Sequence, residues 1–259
     1  MIPKKIHLCW LSGDKFPDDI QACINTWHEK LPDYEIVLWD TKRFDVNSVP
    51  WVKEAYEAKK YAFAADYIRL YALYHYGGIY LDSDVIVYKS FNELLHLPYF
   101  IGEDQCGNFE PAIIGSENGN PWIKEVLDRY KERHFVMEDG TFDTKPLPAV
   151  FFKILSHHKF RRINSDKKYL KKDTIYVFPK QYFNSRNNVG VKQTKYSYCS
   201  HAYKGSWMGK DNGMKNKIKM LLSGKVLNLC MYVTGLINYK RNHKHMIPYE
   251  KYKKSFNFL

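Results

Sequence analysis

The chain has 259 residues, of which 45% are hydrophobic and 16% aromatic, and its formal net charge is +12. That composition excludes a disordered polymer and suits one compact α/β domain with a full core, or such a domain with an appendage. Its five cysteines (Cys9, Cys23, Cys106, Cys199, Cys230) form no CxxC pair and no even set, which argues against a disulfide framework and a zinc site and for a reducing cytosol. Residues 5–10 read as a first strand, entered almost at once, so no secretory leader is expected ahead of it. Residues 18–30 suit a helix opened by Pro17 and Asp18. Residues 35–39 predict a second strand, and residues 62–76 a helix with no interior Gly or Pro. The stretch 78–87 reads as strand, turn, strand. Residues 99–103, 112–115 and 175–178 predict further strands, 121–134 and 147–158 predict helices, and 159–172 a basic, polar connection. Alternating strands and helices of this kind imply a sheet covered by helices on both faces.

Two places in this layout carry chemistry. Gly77 and Gly78 allow a sharp turn. Ile79-Tyr80-Leu81 then reads as a short buried strand, with Asp82 and Asp84 one residue apart at its end and Ser83 between them. Carboxylates at a strand's carboxyl end sit where open α/β sheets bind ligands, and an Asp-x-Asp pair there suits a hard divalent cation shared with phosphates. Taken alone, such a pair reads equally as a solvated turn between two strands. Asp66 and Arg69 fall on one face of the 62–76 helix, either as a surface ion pair or, since the neighbours are apolar nearly all round, as a buried pair needing a partner. Glu103, Asp104 and Glu110 follow a predicted strand, where they either line an acceptor side or lie on the surface.

The run Ala65-Asp66-x-x-Arg69 through Leu73-Tyr74-x-Tyr76-Gly77-Gly78-Ile79-Tyr80-Leu81-Asp82-x-Asp84-Val85 closely resembles the sugar-binding region of glycosyltransferase family 32. Ile2-Pro3-Lys4-Lys5-Ile6-His7-Leu8-Cys9-Trp10 is similar to that family's opening strand, and Ser200-His201 through Ser206-Trp207 to its closing element. One departure is Ala65, where many members carry Ser. The resemblance implies a GT-A fold, a Rossmann-like nucleotide-sugar-binding sheet, and a retaining transfer dependent on Mn²⁺ or Mg²⁺. It implies Asp84 as the direct metal ligand, with His201 beside it as an imidazole donor, although a loop histidine needs no such role. Asp82 would contact the ribose and the sugar and touch the metal through water, with Ser83 next to it. Asp66 and Arg69 would hold the donor sugar, Arg69 also reaching phosphate. Ser206 and Trp207 would meet the diphosphate. Leu8 and Trp10 end the first strand, where a nucleotide base would sit; Trp10 is equally suited to a core. The implied donor is a nucleotide sugar, UDP-linked in preference to GDP-mannose. The implied acceptor is a polysaccharide or lipid-linked oligosaccharide of the bacterial capsule type. A non-catalytic sugar- or lipid-binding protein is the alternative of another class.

The charge is not evenly placed. Residues 204–259 hold twelve Lys/Arg and two acidic residues, against 28 and 26 in residues 1–203. Two units are therefore expected: a catalytic domain over 1–208 and a basic amphipathic helical tail over 209–259. The apolar stretch 217–237 is interrupted by Ser223, Gly224, Lys225 and Asn228, too often to span a bilayer. It suits either an interfacial helix on an anionic membrane or a helix packed on the catalytic domain. A nucleic-acid partner is not expected, because phosphate binding needs no apolar helix. The expected location is the cytoplasmic side, peripheral at the inner face of the plasma membrane.

Overall fold

A computed structural model describes residues 1–104, 109–162, 174–184 and 193–202. In chain order the first elements are β1 (Lys5–Cys9), α1 (Asp18–Lys30), β2 (Glu35–Trp39), α2 (Pro50–Glu57), α3 (Tyr61–Tyr76), β3 (Gly78–Leu81) and β4 (Val85–Val87). They are followed by β5 (Tyr99–Glu103), β6 (Phe109–Ser116), α4 (Pro121–Asp128), α5 (Leu147–Ile154), β7 (Lys159–Arg162), β8 (Thr174–Val177), α6 (Lys180–Phe183) and β9 (Cys199–His201). Five strands form one sheet in the order β2-β1-β3-β6-β5. β1 is parallel to both β2 and β3, whereas β6 is antiparallel to β3 and β5. Parallel neighbours need crossovers, which α1 and the α2–α3 pair supply. This is the α/β sheet with helices on both faces that the sequence predicts.

Alternation along the strands sorts the core. Tyr80 and Ile114 join α3 in one cluster, while Ile79, Leu81 and Ile113 join Ile20, Ile24 and Trp27 of α1 in the other. α3 is buried from Phe63 to Leu70 without interruption, as its apolar composition predicts. It stops at Gly77, whose φ is +61°, and Gly78 follows at φ +107°. A Cβ on Gly77 would lie 2.8 Å from the Asn118 nitrogen, and one on Gly78 2.8 Å from the Lys5 oxygen. Only glycine turns the chain from α3 into β3 at this closeness.

β4 leaves the large sheet. It pairs antiparallel with β9, setting Val85 opposite His201. The buried Trp27 indole ties α1 to this ribbon by donating to the Val85 oxygen at 2.7 Å.

Several elements differ from the sequence expectation; β6 begins at Phe109 rather than 112, and α6 and β9 were not foreseen. The helix expected over 121–134 ends at Asp128, after which Arg133 turns back to pair with Asp143 and stack on the Trp51 ring, 4.1 Å from its centroid. The helix expected over 147–158 is α-helical to Ile154 and tightens into a 3₁₀ turn, Leu155–His157. Part of the expected connection 159–172 is β7, held parallel to β8, with Phe160 drawn onto Phe109 at 5.3 Å. α2 was not foreseen. It is eight residues long and docks through buried Trp51, Val52 and Ala55. Among the described residues no helix is long and apolar enough to cross a membrane. The tail over 209–259 lies outside the described residues.

Candidate active site

The β4–β9 ribbon and the end of β3 bring three ligating side chains together. Asp82 and Asp84 flank the turn between β3 and β4, and His201 ends β9. His201 Nε2 lies 3.1 Å from Asp84 Oδ1 and 4.0 Å from Asp82 Oδ2. One ligand atom from each of the three falls within 4.8 Å of the others. The backbone locks the arrangement, since the Ala202 amide donates to the Asp84 oxygen at 3.0 Å. Asp84, the expected direct ligand, is buried, while Asp82 and His201 are half-buried and open toward solvent.

Behind His201 stands Glu110, whose Oε1 is 3.3 Å from Nδ1. Asn184 donates to the other Glu110 oxygen at 3.1 Å, and the Ala112 amide approaches Oε1 at 3.3 Å. Glu110 thus orients the imidazole so that Nε2 faces the aspartates, the support a metal-bound histidine ordinarily has. Burial would lower the basicity of His201, but Glu110 and Asp84 outweigh it and push its pKa up to about 10. The sequence expectation for Glu103 and Glu110, acceptor side or surface, is corrected. Each is only 3% exposed, because β5 and β6 turn them inward. Asp104 is half-buried.

The α3 pair lies alongside. Asp66 and Arg69 are buried, and Arg69 Nη2 meets Asp66 Oδ1 at 3.0 Å. Arg69 Nη1 donates to the Pro111 oxygen at 2.9 Å and lies 3.4 Å from Asp82 Oδ1. The Tyr80 hydroxyl donates to the same Asp82 oxygen at 2.9 Å, and its ring lies under the Arg69 guanidinium, 4.6 Å from centroid to Cζ. Burial pushes the Asp66 carboxyl up to about 7, Asp82 adding to this and Arg69 opposing it. Burial alone would lower Arg69, yet Asp82, Tyr80 and Asp66 keep it firmly charged. The surface ion-pair alternative is thereby removed: this is a buried pair joined to the Asp-x-Asp turn.

The first strand contributes less directly. The Leu8 side chain is packed in the core. Trp10 is half-buried, packed edge-on against Phe16 at 4.9 Å, and donates from its indole to the Asp14 oxygen at 2.8 Å. Ser83 sits half-buried in the turn. Ser206 and Trp207 lie outside the described residues. Tyr80 and Asn184 were given no site role in advance: Tyr80 stands inside the motif run but reads as a strand residue, and an asparagine after a short helix carries no motif.

The donor set fits a divalent cation. Two carboxylates and one imidazole are ligands that Mn²⁺ and similar ions accept. Asp82 and Asp84 face one imidazole from the open side of the cluster, where a dication would meet both carboxylates. An α/β sheet presenting such a cluster beside a buried Asp–Arg pair has the equipment to bind a polyphosphate through metal and a polyol through hydrogen bonds. Residues 17–101 match the family described as glycosyltransferase sugar-binding region containing DXD motif, and Asp82-Ser83-Asp84 is its Asp-x-Asp here. Residues 17–101 are therefore similar to a glycosyltransferase sugar-binding region.

Among curated proteins it is similar to inositol phosphoceramide mannosyltransferase 3 of Schizosaccharomyces pombe, 32% identical over 56% of this chain and 43% of that one. It is also similar to mannosyl phosphorylinositol ceramide synthase SUR1 of Saccharomyces cerevisiae, 26% identical over 92% of this chain and 58% of that one. The chain thus spans about half the length of these curated relatives. A solved structure, the PaToxG glycosyltransferase, is 23% identical and aligns over 49% of this chain and 59% of its own with a TM-score of 0.39.

Proposed function

We propose that this protein is a metal-dependent glycosyltransferase of the GT-A kind that moves a hexose from a nucleotide sugar to a glycan or lipid-linked acceptor. The observation carrying this is the convergence of Asp82, Asp84 and His201 beside the buried Asp66–Arg69 pair. The sequence alone favours a UDP-linked donor. The similarity to proteins named as mannosyltransferases shifts the preference to mannose from GDP-mannose. Asp84 and His201 Nε2 would hold Mn²⁺ or Mg²⁺, with Asp82 next to them. When bound, the metal supplies Lewis-acid neutralisation of the departing diphosphate. Glu110 keeps the imidazole turned toward the aspartates. Arg69, fixed by Asp66 and Asp82, offers a charged donor to the sugar or a phosphate oxygen, and Asp66 accepts from sugar hydroxyls. Trp10 and the backbone at Leu8 would border the base, and Ser206 and Trp207 would meet the diphosphate. The tail over 209–259 would hold the catalytic domain at an anionic membrane face.

A thermal-shift panel with Mn²⁺ tests the donor, since binding to the native state raises stability by about 2.7 kcal/mol at a hundredfold excess over Kd. GDP-mannose is expected to raise the melting temperature of the wild type and to leave Asp84→Ala unmoved. A shift with UDP-hexoses alone would overturn the mannose assignment. No shift with any nucleotide sugar would overturn the glycosyltransferase assignment itself.

A further inference from the structure

A second convergence of ligating side chains lies away from Asp82, where α4 meets the turn after α5. Glu125 projects from α4, while His157 and His158 follow one another at the end of the 3₁₀ turn. His158 Nε2 lies 3.0 and 3.2 Å from the two Glu125 oxygens, and His157 Nε2 lies 3.3 Å from Oε2. One ligand atom from each of the three residues falls within 4.8 Å of the others. Four ligands bound tetrahedrally at about 2.0–2.1 Å stand about 3.3–3.4 Å from one another, so the observed spacings need little adjustment to share one ion.

The contacts leave a ring nitrogen of each histidine turned toward the carboxylate. His157 Nδ1 lies 3.1 Å from the Ile154 oxygen, which requires the proton on Nδ1. A neutral His157 then presents a bare Nε2 lone pair to a carboxylate oxygen at 3.3 Å, two acceptors face to face. A proton on His157 Nε2 would make this an ordinary ion pair with Glu125; a dication shared with His158 Nε2 would take that proton's place and use the same lone pairs. The Nδ1–carbonyl bond is also the outer support that ligating histidines ordinarily have.

We propose that Glu125, His157 and His158 form a second metal site, separate from the Asp82–Asp84–His201 cluster and selective for a zinc-type transition ion. Two imidazoles and one carboxylate suit Zn²⁺ or Co²⁺, whereas Mg²⁺ and Ca²⁺ prefer oxygen alone. The lack of CxxC pairs bears on thiolate sites and leaves this one untouched. With the His157 side chain 64% exposed, the fourth position faces solvent and would take water. The ion would clip α4 to the segment joining α5 and β7.

Untagged full-length protein, stripped with chelator, is dialysed against Zn²⁺ at micromolar free ion and its metal content measured. His157→Ala and Glu125→Gln should each remove one bound equivalent, in the wild type and in an Asp84→Asn background alike. Co²⁺ should show tetrahedral absorption bands in the Asp84→Asn protein that vanish on adding His157→Ala, with affinity at least tenfold weaker. His157 is exposed, so its replacement leaves the fold intact, and circular dichroism verifies this. Unchanged zinc content in both variants, or an affinity loss below tenfold, would overturn the site and leave ordinary His–Glu contacts.

Discussion

Glu110 decides how His201 behaves. It contributes charge and orientation to the imidazole from behind the ring, where it is 3% exposed. It is therefore a positioning residue, and its effect should appear in metal affinity. Glu110→Gln keeps the shape and an oxygen for Nδ1–H but removes the charge. Loss of such outer partners ordinarily costs about 10–100-fold in metal affinity. Mn²⁺ titration followed by electron paramagnetic resonance, with a nucleoside diphosphate present, should show a fall of about tenfold and an unchanged circular dichroism spectrum. An unchanged Mn²⁺ affinity would show that His201 is oriented by its β4 pairing alone. Sequence reasoning singled out Asp66, Arg69, Asp82, Asp84 and His201 because a motif names them, and the structure brings their side chains together. It placed Glu110 wrongly because strand parity was invisible there. Glu110 stands in an otherwise apolar run, and the register shift between Ile101 and Gly102 changes which residues oppose it.

At the scale of elements, long periodic or uniformly apolar segments were legible and short ones were not. α1 and α3 follow from their caps and composition, and β2 and β5 lie where the sequence put them. α2 and β7 are eight and four residues long, and their existence depends on what they dock against, Trp51 bonding the Phe63 oxygen at 2.7 Å in one case. One joint between elements should be sensitive to pH. His7 in β1 is 1% exposed, accepts from the Trp39 indole at 3.0 Å through Nδ1, and so donates from Nε2 to the Gly77 oxygen at 2.6 Å. It links β1, β2 and the α3–β3 turn as a neutral ring. Burial lowers its pKa below the usual 6.5, the Gly77 bond opposing in part. The folded state thus binds fewer protons than the unfolded chain. The contribution is fully present above about pH 6.5 and is lost as pH falls toward the folded value, at up to about 1.4 kcal/mol per pH unit. Urea unfolding at pH 7.5, 6.0 and 5.0 should show wild type losing stability faster than His7→Gln, which starts lower but cannot titrate. Parallel pH slopes for the two proteins would remove His7 as the cause.

For the whole molecule, charge divides the chain more sharply than hydrophobicity does. Residues 1–203 are nearly balanced, with 28 basic and 26 acidic residues, while residues 204–259 carry twelve and two. A catalytic domain acting on soluble partners would not need such an appendage, and its apolar centre beside basic flanks is what an anionic bilayer surface attracts. Each basic residue near such a surface adds about 1 kcal/mol, and the attraction is screened beyond about 8 Å at physiological ionic strength. Full-length protein should therefore cosediment with vesicles containing anionic lipid, release as salt is raised, and ignore neutral vesicles. Deleting residues 209–259 removes most of this charge and should abolish vesicle binding. It should leave the melting temperature of residues 1–208 and the proposed metal-dependent donor hydrolysis largely intact, provided Ser206 and Trp207 are kept. If the full-length protein does not sediment with anionic vesicles, or the shortened protein cannot fold, the tail is instead a packed part of the catalytic domain. Its basic residues would then serve solvation alone, and attraction to anionic lipid would play no part in bringing the enzyme to its acceptor.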